Sequence, residues 1–287
     1  MIAGLTVAPI VTARWPPGRR PVPRSPGNAL RMFRVKICGV MTSDDAVLVA
    51  AAGADAVGLN FVAGSPRCLG AAEARAVAGA LPRGVLRVGV FAGTAAEEIA
   101  ALAAQVGLDA IQLHGHLAPA PSGAAEHPWE PPGICAALSP WPVIRAARLA
   151  ESGPPAGALQ GAREWIAAAA AAGRAPALVL VDAGSAGTAA RAGAALGGTG
   201  RTVDWGRLAL AASPGVPLAL AGGLTPANVA AAIRATGVTA VDTASGVETA
   251  PGRKDRERVT AFVREALGAF RERHGAGPEP SPTPVWG

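Results

Sequence analysis

Three segments of the chain share one pattern: GADAV at 53–57, GLDAI at 107–111 and GVTAV at 237–241. Each follows an alanine-rich stretch and leads into a run of apolar residues. Glycine at such a junction adopts the left-handed backbone that closes a helix, at no steric cost. The three segments are therefore expected to end one helix and begin the next strand. Their recurrence marks a chain built by repeating a single step.

Working outward from them, strand-like runs fall at 34–38, 55–61, 85–91, 109–113, 142–146, 177–182, 217–221 and 239–243. Alanine-rich helical stretches lie between, near 43–52, 71–80, 95–106, 157–172, 204–212, 225–235 and 255–272. The fourth crossover, 117–140, is rich in Pro and Gly and reads as an irregular excursion. Eight strands, each followed by a crossover, predict a (β/α)8 TIM barrel in one domain over residues 33–272, near the typical length of about 250 residues. A doubly wound open sheet would carry G-x-G-x-x-G after its first strand, and none follows residue 38.

The 287 residues are 50% hydrophobic and 16% charged, enough for a full core. The net charge of +6 would suit nucleic acid or a membrane until it is located. Six arginines and no acidic residue lie in residues 1–34, and the remaining 20 Lys and Arg match 20 Asp and Glu. The body is neutral, without a basic face and with few aromatics for stacking bases, which argues against a nucleic-acid partner. Residues 1–32, with WPPGRRPVPRSPG, cannot bury enough apolar surface to fold and read as a disordered leader ahead of a natural start at Met32. The leader has neither the basic-then-apolar order of a secretory signal nor the serines of a transit peptide. Residues 273–287 read as a second disordered tail. No apolar run reaches the roughly 18 residues of a membrane span. Three cysteines without C-x-x-C imply neither a zinc site nor a disulfide framework, and point to a reducing cytoplasm.

In this fold the chemistry sits where strands end and the following loops begin. Those ends carry Cys38 and Gly39; NFVAGSPR, closing on Arg67; Phe91; Gln112 to Gly115; Arg145; Asp182; AGGLTP at 221–226; and DTASGVE at 242–248. Gly222 and Gly223 after the seventh strand, with Ser245 and Gly246 after the eighth, present unobstructed backbone N–H groups. A short helical turn there would form a phosphate cradle; taken singly, each pair also reads as a tight turn. A strand cysteine is ordinarily a small buried hydrophobe, but Cys38 stands at the strand's C-terminal end, facing the cradle. Asp182 ends the apolar run ALVLV, where a carboxylate has no packing reason to be. Lys36 is assigned to the opposite face from the thiol. Gln112 and His114 read equally as structural or catalytic.

VKICGVMTSDDA, GADAVGLNFVAGSPR, VGVF, LDAIQLHG, LVDA, GGTGRTVDW, LAGGLTPANVAAAI and VDTASGVETAPGRKD occur in that order. Together they resemble the phosphoribosylanthranilate isomerase family of tryptophan biosynthesis over residues 33–272. The resemblance implies an Amadori rearrangement of a small phosphorylated substrate in the cytoplasm, with no metal, no organic cofactor, and scope for association with other enzymes of that pathway. It implies Asp182 as general acid, Cys38 as general base, Arg67 on the anthranilate carboxylate, Gly222, Gly223, Ser245 and Gly246 on the phosphate, and Asp242 near the ribose hydroxyls. A thiolate needs support, since a free thiol titrates near pH 8.5; the positive end of a helix is the expected source, and burial is expected to raise Asp182. The chain departs from the family in the Pro-rich segment 116–141, in a stretched loop 183–203 placed to act as a lid, in Ala244 where a serine is usual, and in RCL where an aromatic usually follows the arginine. Two other readings stay open: another phosphate-binding barrel sugar isomerase, and a catalytically silent barrel within a pathway complex.

Overall fold

A computed structural model of the chain describes residues 32–115, 130–182 and 203–273. Residues 1–31 of the expected leader, residues 274–287 of the tail, residues 116–129, and residues 183–202 of the expected lid at 183–203 lie outside them. Eight parallel strands close on themselves: β1 (Val35–Cys38), β2 (Ala56–Asn60), β3 (Leu86–Phe91), β4 (Ala110–Leu113), β5 (Val143–Arg148), β6 (Leu178–Asp182), β7 (Leu218–Leu220) and β8 (Ala240–Thr243). Between them run α1 (Ser43–Ala51), α2 (Ala71–Ala80), α3 (Ala96–Val106), α4 (Ile134–Ala137), α5 (Gln160–Ala171), α6 (Trp205–Ala209) and α7 (Val229–Thr236), and α8 (Arg256–Arg273) follows β8. The barrel closes where β1 pairs with β8, Val35 opposite Val241 and Lys36 opposite Asp242. In the described part of the irregular fourth crossover the one helix is the single turn of α4. Among the described residues no helix is long and apolar enough to cross a membrane.

The repeated junctions do more than end helices. Gly53, Gly107 and Gly237 all have positive φ, and the last two cap α3 and α7. Two residues later, each junction reaches back to the strand before it. Asp55 Oδ2 accepts the N–H groups of Arg34 and Val35 at 2.9 Å, and Asp109 Oδ2 accepts that of Arg87 at 2.9 Å. Thr239 Oγ1 donates to the Leu218 carbonyl at 3.1 Å. Ala56, Ala110 and Ala240 then point into the barrel with Val88, Ile144 and Leu178, while Val57, Ile111 and Val241 pack outward beneath the helices. Both faces of the sheet are buried, so the strands read as near-continuous apolar runs. Above this apolar layer the interior turns polar, with Lys36, Gln112 and Asp242 all buried. That change places the site.

Candidate active site

Seven of the eight predicted residues, Cys38, Arg67, Asp182, Gly222, Gly223, Asp242 and Ser245, line one cavity at the C-terminal ends of the strands. Gly246 does not line it. A side chain there would run into the Leu224 carbonyl, so this glycine lets the β8 loop pack against the β7 loop.

Lys36 corrects the sequence reading. Residues two apart share a strand face, so Lys36 and Cys38 both point into the barrel while Val35 and Ile37 face the helices. Lys36 Nζ is fully buried, donates to Asp242 Oδ2 at 2.9 Å and shares with the Cys38 thiol the space beside Gly58. Burial opposes its charge, yet Asp242 and Cys38 hold it above the ordinary lysine value. The thiol, half-buried and open to the cavity, is pushed up by burial; Lys36 and Lys254 pull it down, and Asp242 opposes them. Its support therefore comes from two lysines, in place of the expected helix terminus, and the net direction is upward. Burial also raises Asp242, against the pull of Lys36. Asp242 Oδ1 is buried on the cavity wall with no hydrogen-bond partner.

Gly58 on β2 lies opposite Cys38. A Cβ there would stand 2.6 Å from the thiol sulfur and 3.1 Å from Lys36 Nζ. Gly39 has φ +69°, and a side chain on it would collide with the Arg67 methylenes. Both glycines are cut back for a functional neighbour.

Arg67 is fixed by the loop that carries it. Asn60 accepts from the Val62 N–H at 2.7 Å and donates to Ser65 Oγ, which accepts from the Arg67 N–H at 3.2 Å. The guanidinium forks onto Glu248, Nε to Oε1 at 2.8 Å and Nη2 to Oε2 at 2.5 Å. Glu248 also accepts from Lys254 Nζ at 2.6 Å, and that ammonium donates to the Cys38 carbonyl at 2.7 Å. Glu248 and Lys254 sit on a two-stranded hairpin, β9 (Glu248–Ala250) with β10 (Arg253–Lys254), absent from the sequence reading. Burial works against the Glu248 carboxylate, but Arg67 and Lys254 hold it below its ordinary range; burial lowers Lys254. Two buried cations share one carboxylate, leaving this wall positive.

Across the cavity, His114 Nε2 lies 3.3 Å from Asp182 Oδ2, and His114 Nδ1 lies 3.3 Å from Gln112 Nε2. Gln112 and His114 line the same cavity. At the third wall Gly222 and Gly223 have φ of +84° and +62°, and Ser245 opens a one-turn 3-10 helix. Among the described residues, the backbone N–H groups of Gly222, Gly223 and Ser245 donate no hydrogen bond. Arg145 turns outward from the rim. It pairs with buried Glu130, lies 4.9 Å over the Trp165 ring, and donates to the carbonyls of Leu113 and Gly115, tying down the end of β4.

The chain is similar to known proteins over most of its length. The family model for N-(5'-phosphoribosyl)anthranilate isomerase matches residues 35–127 and 160–265. The isomerase of that name from Myxococcus xanthus is 41% identical over 233 residues, covering 81% of this chain and 95% of the relative. That from Acidithiobacillus ferrooxidans is 38% identical over 239 residues, covering 83% and 98%. Among solved structures, the phosphoribosylanthranilate isomerase of Thermotoga maritima superposes with a TM-score of 0.65 at 32% identity, covering 83% of this chain and all of the other. A further one, at 31% identity, TM-score 0.62 and the same coverage, holds reduced 1-(o-carboxyphenylamino)-1-deoxyribulose 5-phosphate. By sequence and by fold, the chain belongs to the N-(5'-phosphoribosyl)anthranilate isomerase family.

Proposed function

We propose that the barrel, residues 33–272, catalyses the rearrangement of N-(5-phospho-β-D-ribosyl)anthranilate to 1-(2-carboxyphenylamino)-1-deoxy-D-ribulose 5-phosphate, a step of tryptophan biosynthesis in the cytoplasm. The observation that carries this reading is that a thiol, a carboxyl group, an arginine and two glycine-rich loops meet in one cavity. Asp182 protonates the ribose ring oxygen, and the ring opens to a Schiff base. Cys38, as thiolate, removes the C2′ proton, the C–H electrons move toward the nitrogen, and the resulting enolamine tautomerises to the ketone.

The rest of the wall suits the rest of the substrate. The positive cluster of Arg67 and Lys254 around Glu248 complements the anthranilate carboxylate, and the Arg67 fork suits a planar acid. The unused N–H groups of Gly222, Gly223 and Ser245 favour the phosphate dianion, with Gly246 holding their two loops together. The unpartnered Oδ1 of Asp242 is an acceptor for a ribose hydroxyl. The test is the loss of substrate fluorescence on adding the purified chain. Cys38→Ser and Asp182→Asn are each expected to cost at least about 10²-fold in kcat, the low end for lost acid–base catalysis. Wild-type turnover in either variant removes that residue from the chemistry.

A further inference from the structure

We propose that Lys36 is a positioning residue for the base: its ammonium, held between Asp242 and Cys38, is the counter-ion of the Cys38 thiolate. The inference rests on the reading of Cys38 as the base. Lys36 is fully buried and not on the cavity wall, so it has no route to the substrate. Its Nζ sits 2.9 Å from Asp242 Oδ2, and it and the thiol sulfur flank one point, the place a Cβ on Gly58 would take, at 3.1 and 2.6 Å.

Stability alone is a poor reason for this pair. A buried ion pair is often no more stable than well-packed apolar residues of the same volume. The layer below is filled with such residues, among them Ala56, Ala110 and Leu178. The space around the pair is shaped for the thiol instead, because Gly58 withholds a side chain where sulfur and ammonium meet.

The charged groups around Cys38 divide by sign. Lys36 on its own strand and Lys254 on the hairpin favour the thiolate, while Asp242 on β8 opposes it. Arg67, from the loop after β2, also acts on the thiol, while Asp182 at the end of β6 and His114 just beyond β4 face Asp242. Lys254 is already held by Glu248 at 2.6 Å. Lys36 is thus the cation divided between Asp242 and the thiol. When Cys38 takes the C2′ proton, sulfur gains the S–H bond, Lys36 keeps its own proton, and its charge is left to Asp242. Removing Lys36 and removing the Asp242 charge must then act on the thiol in opposite directions.

The measurement is the rate at which iodoacetamide alkylates Cys38 in the substrate-free enzyme. Peptide-resolved mass spectrometry separates this site from Cys68 and Cys135, and the series runs from about pH 5 to 10, bracketing the ordinary thiol value. Lys36→Gln is expected to slow alkylation at neutral pH about tenfold, the thiolate loss that one unit of displacement brings. Asp242→Asn is expected to speed it. Unchanged profiles, or displacements of the same sign, overturn the inference. If Lys36→Gln does not fold, Asp242→Asn decides alone, and no acceleration overturns it. Turnover of Cys38→Ser, measured alongside, separates the two ideas. Retained turnover overturns the base assignment, whereas lost turnover with unaltered alkylation profiles overturns the role of Lys36 alone.

Discussion

Gly58→Ala adds one methyl group in the space shared by Cys38 and Lys36. Gly58 is not among the glycines with positive φ, so the backbone accepts alanine and the whole effect falls on the contact. The new Cβ would begin 2.6 Å from the sulfur, 3.0 Å from the Cys38 Cα and 3.1 Å from Lys36 Nζ. An ordinary non-bonded contact is about 3.5–4.0 Å, so the sulfur must retreat by about 1 Å. Overpacking of this kind costs about 1–3 kcal/mol, and the smaller entropy of the unfolded chain returns about 0.4–1 kcal/mol. The net loss is a few degrees in Tm, at about 2–4 °C per kcal/mol for a domain of this size. Catalysis is expected to suffer far more, since about 1 Å of misplacement can cost about 10²-fold. The assay pairs a melting curve with kcat from substrate fluorescence. A folded variant with wild-type kcat would refute the claim that Gly58 sets the position of the thiol.

Two further outcomes are expected. Glu248→Gln leaves Arg67 and Lys254 buried without their carboxylate, at a cost of about 3–5 kcal/mol, and should raise KM more than it lowers kcat as Arg67 loses its fixed orientation. The folded carboxyl is held below its ordinary 4.5, so its stabilisation is present above that pH and is lost as the pH falls through the lower folded value. The acid limb of the wild-type stability curve should flatten in the variant, and a limb of unchanged slope would contradict this account. Inorganic phosphate should inhibit competitively, and Ser245→Asp, which sets a carboxylate beside the unused N–H groups, should raise KM; non-competitive inhibition would sink the phosphate cradle.

Much of this was legible because the signals are local. A glycine closing a helix and an apolar run opening a strand repeat along the chain, and the strand ends then name Cys38, Arg67, Asp182 and Asp242 without reference to distant residues. Lys36 was equally legible by the two-residue period, but a lysine beside apolar neighbours reads as a solvent-seeking side chain. In a closed barrel both faces are buried, and the inner one becomes polar toward the rim. Glu248 could not be tied to Arg67 in advance: they are 181 residues apart, and only barrel closure brings them together. Gly58 left no signal in the sequence, because its role lies in a side chain it lacks. Glu130 stands within the irregular fourth crossover, where no periodicity gives it a direction.

The side-chain clamps at the helix-to-strand junctions bear on how the barrel opens. Asp55 fastens β2 to the start of β1, Asp109 fastens β4 to β3, and Thr239 fastens β8 to β7. The matching place before β6 holds Ala177, which has no side-chain oxygen to offer β5. Three strand pairs are stapled at their lower ends, and among the described residues the fourth has no such staple at that end, where its backbone ladder and packing hold it. Local opening should therefore begin between β5 and β6, and amide hydrogen exchange in native conditions should find the amides of that pair the least protected of the four.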